Sequence, residues 1–218
     1  MNKTDPSRRK FLQQSALAAA AITIIPRKVL GGKGYVAPGD MLNIGFIGTG
    51  KLVNGYFKRF AELPELHIMA ACDVYQDKLN KFKQAVDGYY AEKTGKSNYS
   101  ELKVFSDYRE LLSLDQIDAV IVATPDHWHA IPSIAAMKAG KDVYCEKPMA
   151  HTVKEGREMV EAASKYGRVV QTGSMQRSSK GFRHACELVR NGAAVPDFWD
   201  QPWVASLAFD NLGGTQNN

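Results

Sequence analysis

The chain has 218 residues, 44% hydrophobic and 23% charged, enough to bury one good core and part of another, which excludes a disordered tail or a fibre. Its longest apolar run, Ala16 to Ile25, contains Thr23 and falls far short of the roughly 20 residues that a bilayer-spanning helix requires. The net charge of +5 is local: residues 1 to 33 hold seven of the 28 Lys and Arg and one of the 23 acids, so the remainder carries 21 against 22, and no nucleic-acid partner is expected.

In chain order, Ser7-Arg8-Arg9-Lys10-Phe11-Leu12-Gln13 comes first, then the Ala-rich block Ser15 to Ile22, which has no helical periodicity. This leader looks like a twin-arginine export signal; the alternative is an amphipathic helical arm. The signal implies the twin-arginine translocase as a partner and a periplasmic destination. It also implies a body that folds before crossing, often with a cofactor bound. Residues 1–33 are assigned to the signal and 34–41 to a linker, with no clean A-x-A triplet between Pro26 and Tyr35 to mark a cleavage site. Three cysteines, Cys72, Cys145 and Cys186, do not form a disulfide framework, and the first two end apolar, strand-like runs where Cys behaves as a small buried hydrophobe.

From residue 42 short β-branched runs alternate with stretches at helical period, the pattern of an α/β, doubly wound parallel sheet of about six strands. Strands are predicted at Leu42 to Ile47, His67 to Cys72, Val104 with Phe105, Ala119 to Ala123, Asp142 to Cys145 and Val169 to Thr172. Helices are predicted at about 52–62, 77–90, 107–113, 129–139, 152–166 and 181–190. Gly140, Gly167 and Gly192 fall where a helix end needs positive φ, and Thr152 with Glu155 reads as a capping box. Six strands in strict alternation complete a Rossmann-type dinucleotide-binding domain over 42–192.

The first strand runs into Gly48-Thr49-Gly50-Lys51. Gly48 permits a tight turn and Gly50 the close approach of backbone to a pyrophosphate at a helix N-terminus, which makes Gly48, Thr49 and Gly50 candidate cofactor contacts. The third glycine of GxGxxG is replaced by Val53, whose side chain is expected to push helix from strand, with Gly55 restoring some close packing. Asp73 ends the second strand, placed to accept hydrogen bonds from the adenosine ribose hydroxyls; a helix-capping Asp is the alternative. With no Arg in Val74-Tyr75-Gln76-Asp77, NAD is favoured over NADP.

The fourth strand ends in Thr124-Pro125-Asp126-His127-Trp128-His129 and the fifth in Glu146-Lys147-Pro148, both at carboxyl edges that line the ligand crevice of such sheets. Lys147 can hold a substrate oxygen and help move its proton as hydride leaves, with Glu146 keeping the lysine charged and positioned. A plain surface pair before a turn proline remains the alternative. A metal held by Asp126, His127, His129, Cys145 or His151 is disfavoured for want of converging ligands, and Cys145 as nucleophile for want of a base.

Ala123-Thr124-Pro125-Asp126-x-x-His129, Ala139-Gly140-Lys141 and Glu146-Lys147-Pro148 together resemble the run shared by the Gfo/Idh/MocA oxidoreductases. The resemblance spans about residues 42 to 192, with Asp126 where many members have Asn. It implies that Gly48, Gly50 and Asp73 bind the dinucleotide, that Thr124, Pro125 and His129 line its path, that Glu146 contacts the nicotinamide ribose and that Lys147 is catalytic. It also implies a sugar or polyol substrate; some exported members use the bound NAD for redox-assisted glycoside cleavage. Family members continue into a second α/β substrate domain. Residues 193–218, with two Trp and two Pro, fit no strand or helix plan, and a truncated or frameshifted tail lacking that domain is expected. Apolar surface left bare would favour self-association into a homo-oligomer.

Overall fold

The computed structural model describes residues 36–96 and 99–192, so the leader, the start of the linker and the 193–218 stretch lie outside the described residues. The six strands are β1 (Leu42–Ile47), β2 (Leu66–Cys72), β3 (Lys103–Phe105), β4 (Ala119–Val122), β5 (Asp142–Glu146) and β6 (Val170–Gly173). They form one sheet in the order β3-β2-β1-β4-β5-β6 with every neighbouring pair parallel. Six helices follow the strands: α1 (Lys51–Ala61), α2 (Gln76–Thr94), α3 (Tyr108–Leu112), α4 (Ala130–Lys138), α5 (Val153–Tyr166) and α6 (Lys180–Arg190). This is the doubly wound Rossmann architecture that the alternating pattern predicts, each boundary within a few residues of the expected one.

Two apolar layers hold the helices to the sheet. On one face Val53, Tyr56, Phe57 and Ala61 of α1 and Leu79, Phe82 and Val86 of α2 pack with Ile44, Phe46, Ile68 and Ala71 of β1 and β2. On the other, Leu111 and Leu112 of α3, Ala136 and Met137 of α4 and Met159 and Ala162 of α5 pack with Val120, Val122, Val143 and Cys145. Successive strand residues point to opposite faces, so strands covered on both sides are apolar throughout. Among the described residues no helix is long and apolar enough to cross a membrane.

The helix ends use the anticipated chemistry. Thr152 Oγ1 accepts from Glu155 N at 3.2 Å while Glu155 Oε2 accepts from Thr152 N at 2.9 Å, a closed capping box worth about 1 kcal/mol. Gly140, Gly167 and Gly192 take φ of 78°, 60° and 72° just past α4, α5 and α6. The glycine pattern of α1 differs from expectation. Val53 is 0% exposed and part of the α1 interface, so its side chain fills that interface. Gly55 restores no packing: it is exposed, and a Cβ built on it would meet nothing within 4 Å. Two residues beyond Val53 the helix has turned through about 200°, so Gly55 faces away from the sheet.

Candidate functional site

The site lies at the carboxyl ends of β1, β4 and β5, where α1 leaves toward one face and α4 toward the other. This is the switch point of the strand order, where open parallel sheets leave a crevice. Gly48 follows β1 with φ of 94°, and a Cβ on it would stand 2.6 Å from Ala123 O and 2.8 Å from Thr124 N. The glycine turn therefore rests directly on the backbone that ends β4. Gly50 has φ of −68°, and a Cβ there would meet nothing within 4 Å. As N-cap of α1 it supplies no side-chain cap, so the first-turn N–H groups remain for another acceptor. An open backbone at a helix N-terminus suits a pyrophosphate.

Asp73 is fixed against this loop. Its Oδ2 accepts from Thr49 N at 2.7 Å and Thr49 Oγ1 at 3.0 Å, and its Oδ1 accepts from Tyr75 N at 2.9 Å. The helix-capping alternative loses ground, because the N-cap of α2 is Tyr75, without a side-chain cap. Thr49 itself is 0% exposed, so its hydroxyl serves Asp73. Asn54 Nδ2 donates to Thr49 O at 2.9 Å and to Gly50 O at 3.0 Å, tying the loop to the second turn of α1.

At the end of β4, Thr124 keeps its Oγ1 buried with no hydrogen-bond partner, and the exposed Pro125 caps a 3-10 turn, Asp126–Trp128. His129 is 2% exposed; its Nδ1 lies 2.6 Å from Pro148 O and its Nε2 2.8 Å from Thr124 O. Both ring nitrogens are thus engaged by backbone, and His129 joins the β4 end to the turn after β5. The open space beside Gly50, the uncapped helix and the orphaned Thr124 hydroxyl fit a dinucleotide in this crevice.

Glu146 and Lys147 diverge. Glu146 is 2% exposed; its Oε1 accepts from Tyr56 Oη at 3.1 Å and its Oε2 from Lys147 N at 3.1 Å. Lys147 is exposed, and among the described residues no carboxylate forms an ion pair with its ammonium. The expectation that Glu146 holds the lysine by charge is corrected: strand parity sends Glu146, like Tyr144, toward the α1 face, whereas Lys147 lies past the strand end. Gly173 of β6 makes room for that carboxylate, since a Cβ there would stand 2.9 Å from Glu146 Oε2. Sequence reasoning missed Tyr56, although the spacing Val53, Tyr56, Phe57, Phe60 places its hydroxyl on the buried stripe of α1. Burial and then Glu146 hold that hydroxyl well above the ordinary phenol range, so it stays a donor.

Burial pushes the Cys145 thiol up to about 11 and the Cys72 thiol to about 12, which leaves neither a ready nucleophile. No three His, Cys, Asp or Glu side chains gather as a metal site among the described residues.

Fold and loop together define a dinucleotide-binding Rossmann domain. Residues 42–174 match the family described as oxidoreductase family, NAD-binding Rossmann fold, and the chain belongs to this Gfo/Idh/MocA family. It is 34% identical over 173 residues to a glycosyl hydrolase family 109 protein of Shewanella pealeana, covering 73% of this chain and 37% of that one. Myo-inositol 2-dehydrogenase from Lactobacillus plantarum is similar at 25% identity and a TM-score of 0.55, over 70% of this chain and 42% of that one. Scyllo-inositol dehydrogenase from Lactobacillus casei, solved with NAD(H) and scyllo-inositol, superposes with a TM-score of 0.56 at 24% identity, over 70% and 42%. The chain thus spans less than half the length of these proteins.

Proposed function

We propose that the chain is the NAD-binding part of an exported enzyme that acts on a sugar or polyol by hydride transfer. The observation that carries this reading is the Asp73 carboxylate, locked by three hydrogen bonds beside the glycine turn. Fixed there, it suits the ribose hydroxyls and repels a 2′-phosphate, which favours NAD over NADP. Gly48, Gly50 and the N-terminus of α1 take the pyrophosphate; Thr124 and Pro125 flank the path to the nicotinamide. Glu146 shapes the nicotinamide end of the crevice from beneath, through Tyr56 and the Lys147 N–H. The nicotinamide supplies the hydride acceptor. The Lys147 ammonium holds the substrate oxygen as hydride leaves its carbon for the nicotinamide, and the hydroxyl proton passes to a base of the family's second domain, which leaves a carbonyl. The Arg8-Arg9 leader supports export by the twin-arginine translocase to the periplasm.

A second reading is favoured by the name of the Shewanella relative: hydride is withdrawn and returned within a glycoside cleavage, so no NADH accumulates. Titration of the purified chain with NADH and NADPH tests the cofactor reading. Binding is expected for NADH, about tenfold or more tighter than for NADPH; no NADH binding refutes it. Incubation with NAD and panels of free sugars and of aryl glycosides separates the two chemistries. NADH absorbance marks oxidation and aglycone release at constant NADH marks cleavage; neither, with NADH bound, marks a binding module.

A further inference from the structure

We propose that Thr49 is a positioning residue that leaves Asp73 a single acceptor position for the adenosine ribose, so that the chain reads the 2′-hydroxyl of its cofactor and not the 3′-hydroxyl. A carboxylate offers about four lone-pair positions, two on each oxygen. Both on Asp73 Oδ2 are taken by Thr49, whose N–H donates at 2.7 Å and whose hydroxyl donates at 3.0 Å. On Oδ1 one is taken by Tyr75 N–H at 2.9 Å, and one is left. The ribose diol presents two donors, and the one that an acid at this place receives is the 2′-hydroxyl.

The donors on Asp73 are held where they are. Thr49 N–H continues the β1–β2 ladder past its last pair, one residue on from the bond of Gly48 N to Cys72 O at 2.8 Å. Asp73 N donates in turn to Phe105 O of β3 at 3.2 Å, so the backbone that carries the carboxylate is tied to both neighbours of β2. Asn54 Nδ2 donates to the Thr49 carbonyl and fixes the loop from α1. Thr49 is 0% exposed, and its hydroxyl finds its acceptor in Asp73 Oδ2. A ribose hydroxyl that displaced it would strand a buried donor, and that cost offsets the new bond.

Asp73 therefore holds the adenosine ribose by one bond where a carboxylate without the Thr49 hydroxyl could make two. Loss of the 2′-hydroxyl removes that bond, whereas loss of the 3′-hydroxyl removes nothing that Asp73 supplies. Thr49 is too deeply buried to touch the ribose itself, so it sets this selectivity through the carboxylate. The inference rests on the reading of Asp73 as the ribose acceptor and adds which hydroxyl is read and what silences the other.

The test is titration of the whole chain with NADH, 2′-deoxy-NADH and 3′-deoxy-NADH, followed by the fluorescence of the reduced nicotinamide. The native chain is expected to bind the 2′-deoxy form about tenfold more weakly than NADH and the 3′-deoxy form within about twofold of it. Thr49→Ala vacates a position on Oδ2, and this variant is expected to bind 3′-deoxy-NADH about threefold or more below its own NADH affinity. Thr49→Ser keeps the hydroxyl and is expected to behave as native. A merely structural role for Thr49 would weaken all three ligands alike and leave their ratios unchanged. Equal losses for the two deoxy forms in the native chain, or a Thr49→Ala variant no more selective at the 3′ position than native, overturn the proposal while Asp73 remains the ribose acceptor. Should Thr49→Ala fail to fold, the native series decides. If the native chain binds all three ligands alike, or none, the ribose reading fails and the inference falls with it.

Discussion

Replacing Gly48 by alanine is the sharpest probe of how the glycine turn is built. The new Cβ would stand 2.6 Å from Ala123 O, 2.7 Å from Ala123 C and 2.8 Å from Thr124 N. All three are backbone atoms at the end of a central strand, so no side chain can rotate out of the way. Ala123 must withdraw by about 0.8 Å before ordinary contact at 3.4 Å is reached. The φ of 94° adds strain of about 1–2 kcal/mol for any residue with a Cβ, and forced overpacking of a rigid neighbour costs about 1–3 kcal/mol. A total near 3 kcal/mol lowers Tm by about 6–12 °C for a domain of this size. Gly50→Ala is the control, since it meets nothing and keeps an ordinary φ. Urea and thermal unfolding followed by circular dichroism should show G48A strongly destabilised and G50A within about 0.5 kcal/mol of native. NADH affinity should fall in G50A as the backbone is held off the pyrophosphate. Equal unfolding midpoints for G48A and native would refute the contact between the glycine turn and β4.

Three further outcomes are expected. Val53→Gly, which completes the GxGxxG pattern, should destabilise by about 2–4 kcal/mol in urea unfolding, through a core void and a glycine in a helix, without tightening NADH binding. Tyr56→Phe strips a donor from the buried Glu146 carboxylate and should cost about 1–3 kcal/mol by the same measurement. Because burial raises Cys72 to about 12 and Cys145 to about 11, a thiol reagent at pH 8 should label the exposed Cys186 rapidly in the native chain and the other two only on unfolding; mass spectrometry of the labelled peptides reads this.

The sheet was legible because its signals are local. Short apolar runs ended by Gly48 and by Asp73 define β1 and β2, and the Thr152–Glu155 pair marks the start of α5 to the residue. The glycine turn and Asp73 could likewise be read from spacing along the chain. What escaped depends on pairings across the fold. The orientation of Glu146 follows from strand parity with Tyr144, a signal that was available. The partner Tyr56, 90 residues away, becomes visible only once α1 lies on the sheet. Gly55 misled because a glycine near a gap in a motif resembles compensation until helical geometry is applied. The two carbonyls on His129 belong to loops whose backbone paths no residue pattern encodes.

The strand order also sets a schedule for biosynthesis. β1 is central, and one edge pairs with β2 soon after both are made, yet the other waits for β4, as Ile47 pairs with Val122 and Asn43 N with Asp118 Oδ2, 75 residues on. At about 5–20 residues per second, the Ile44–Ile47 edge stands open for several seconds on a ribosome. During that interval it is an unpaired apolar strand, the kind of surface that chaperones engage and that nascent chains share with one another.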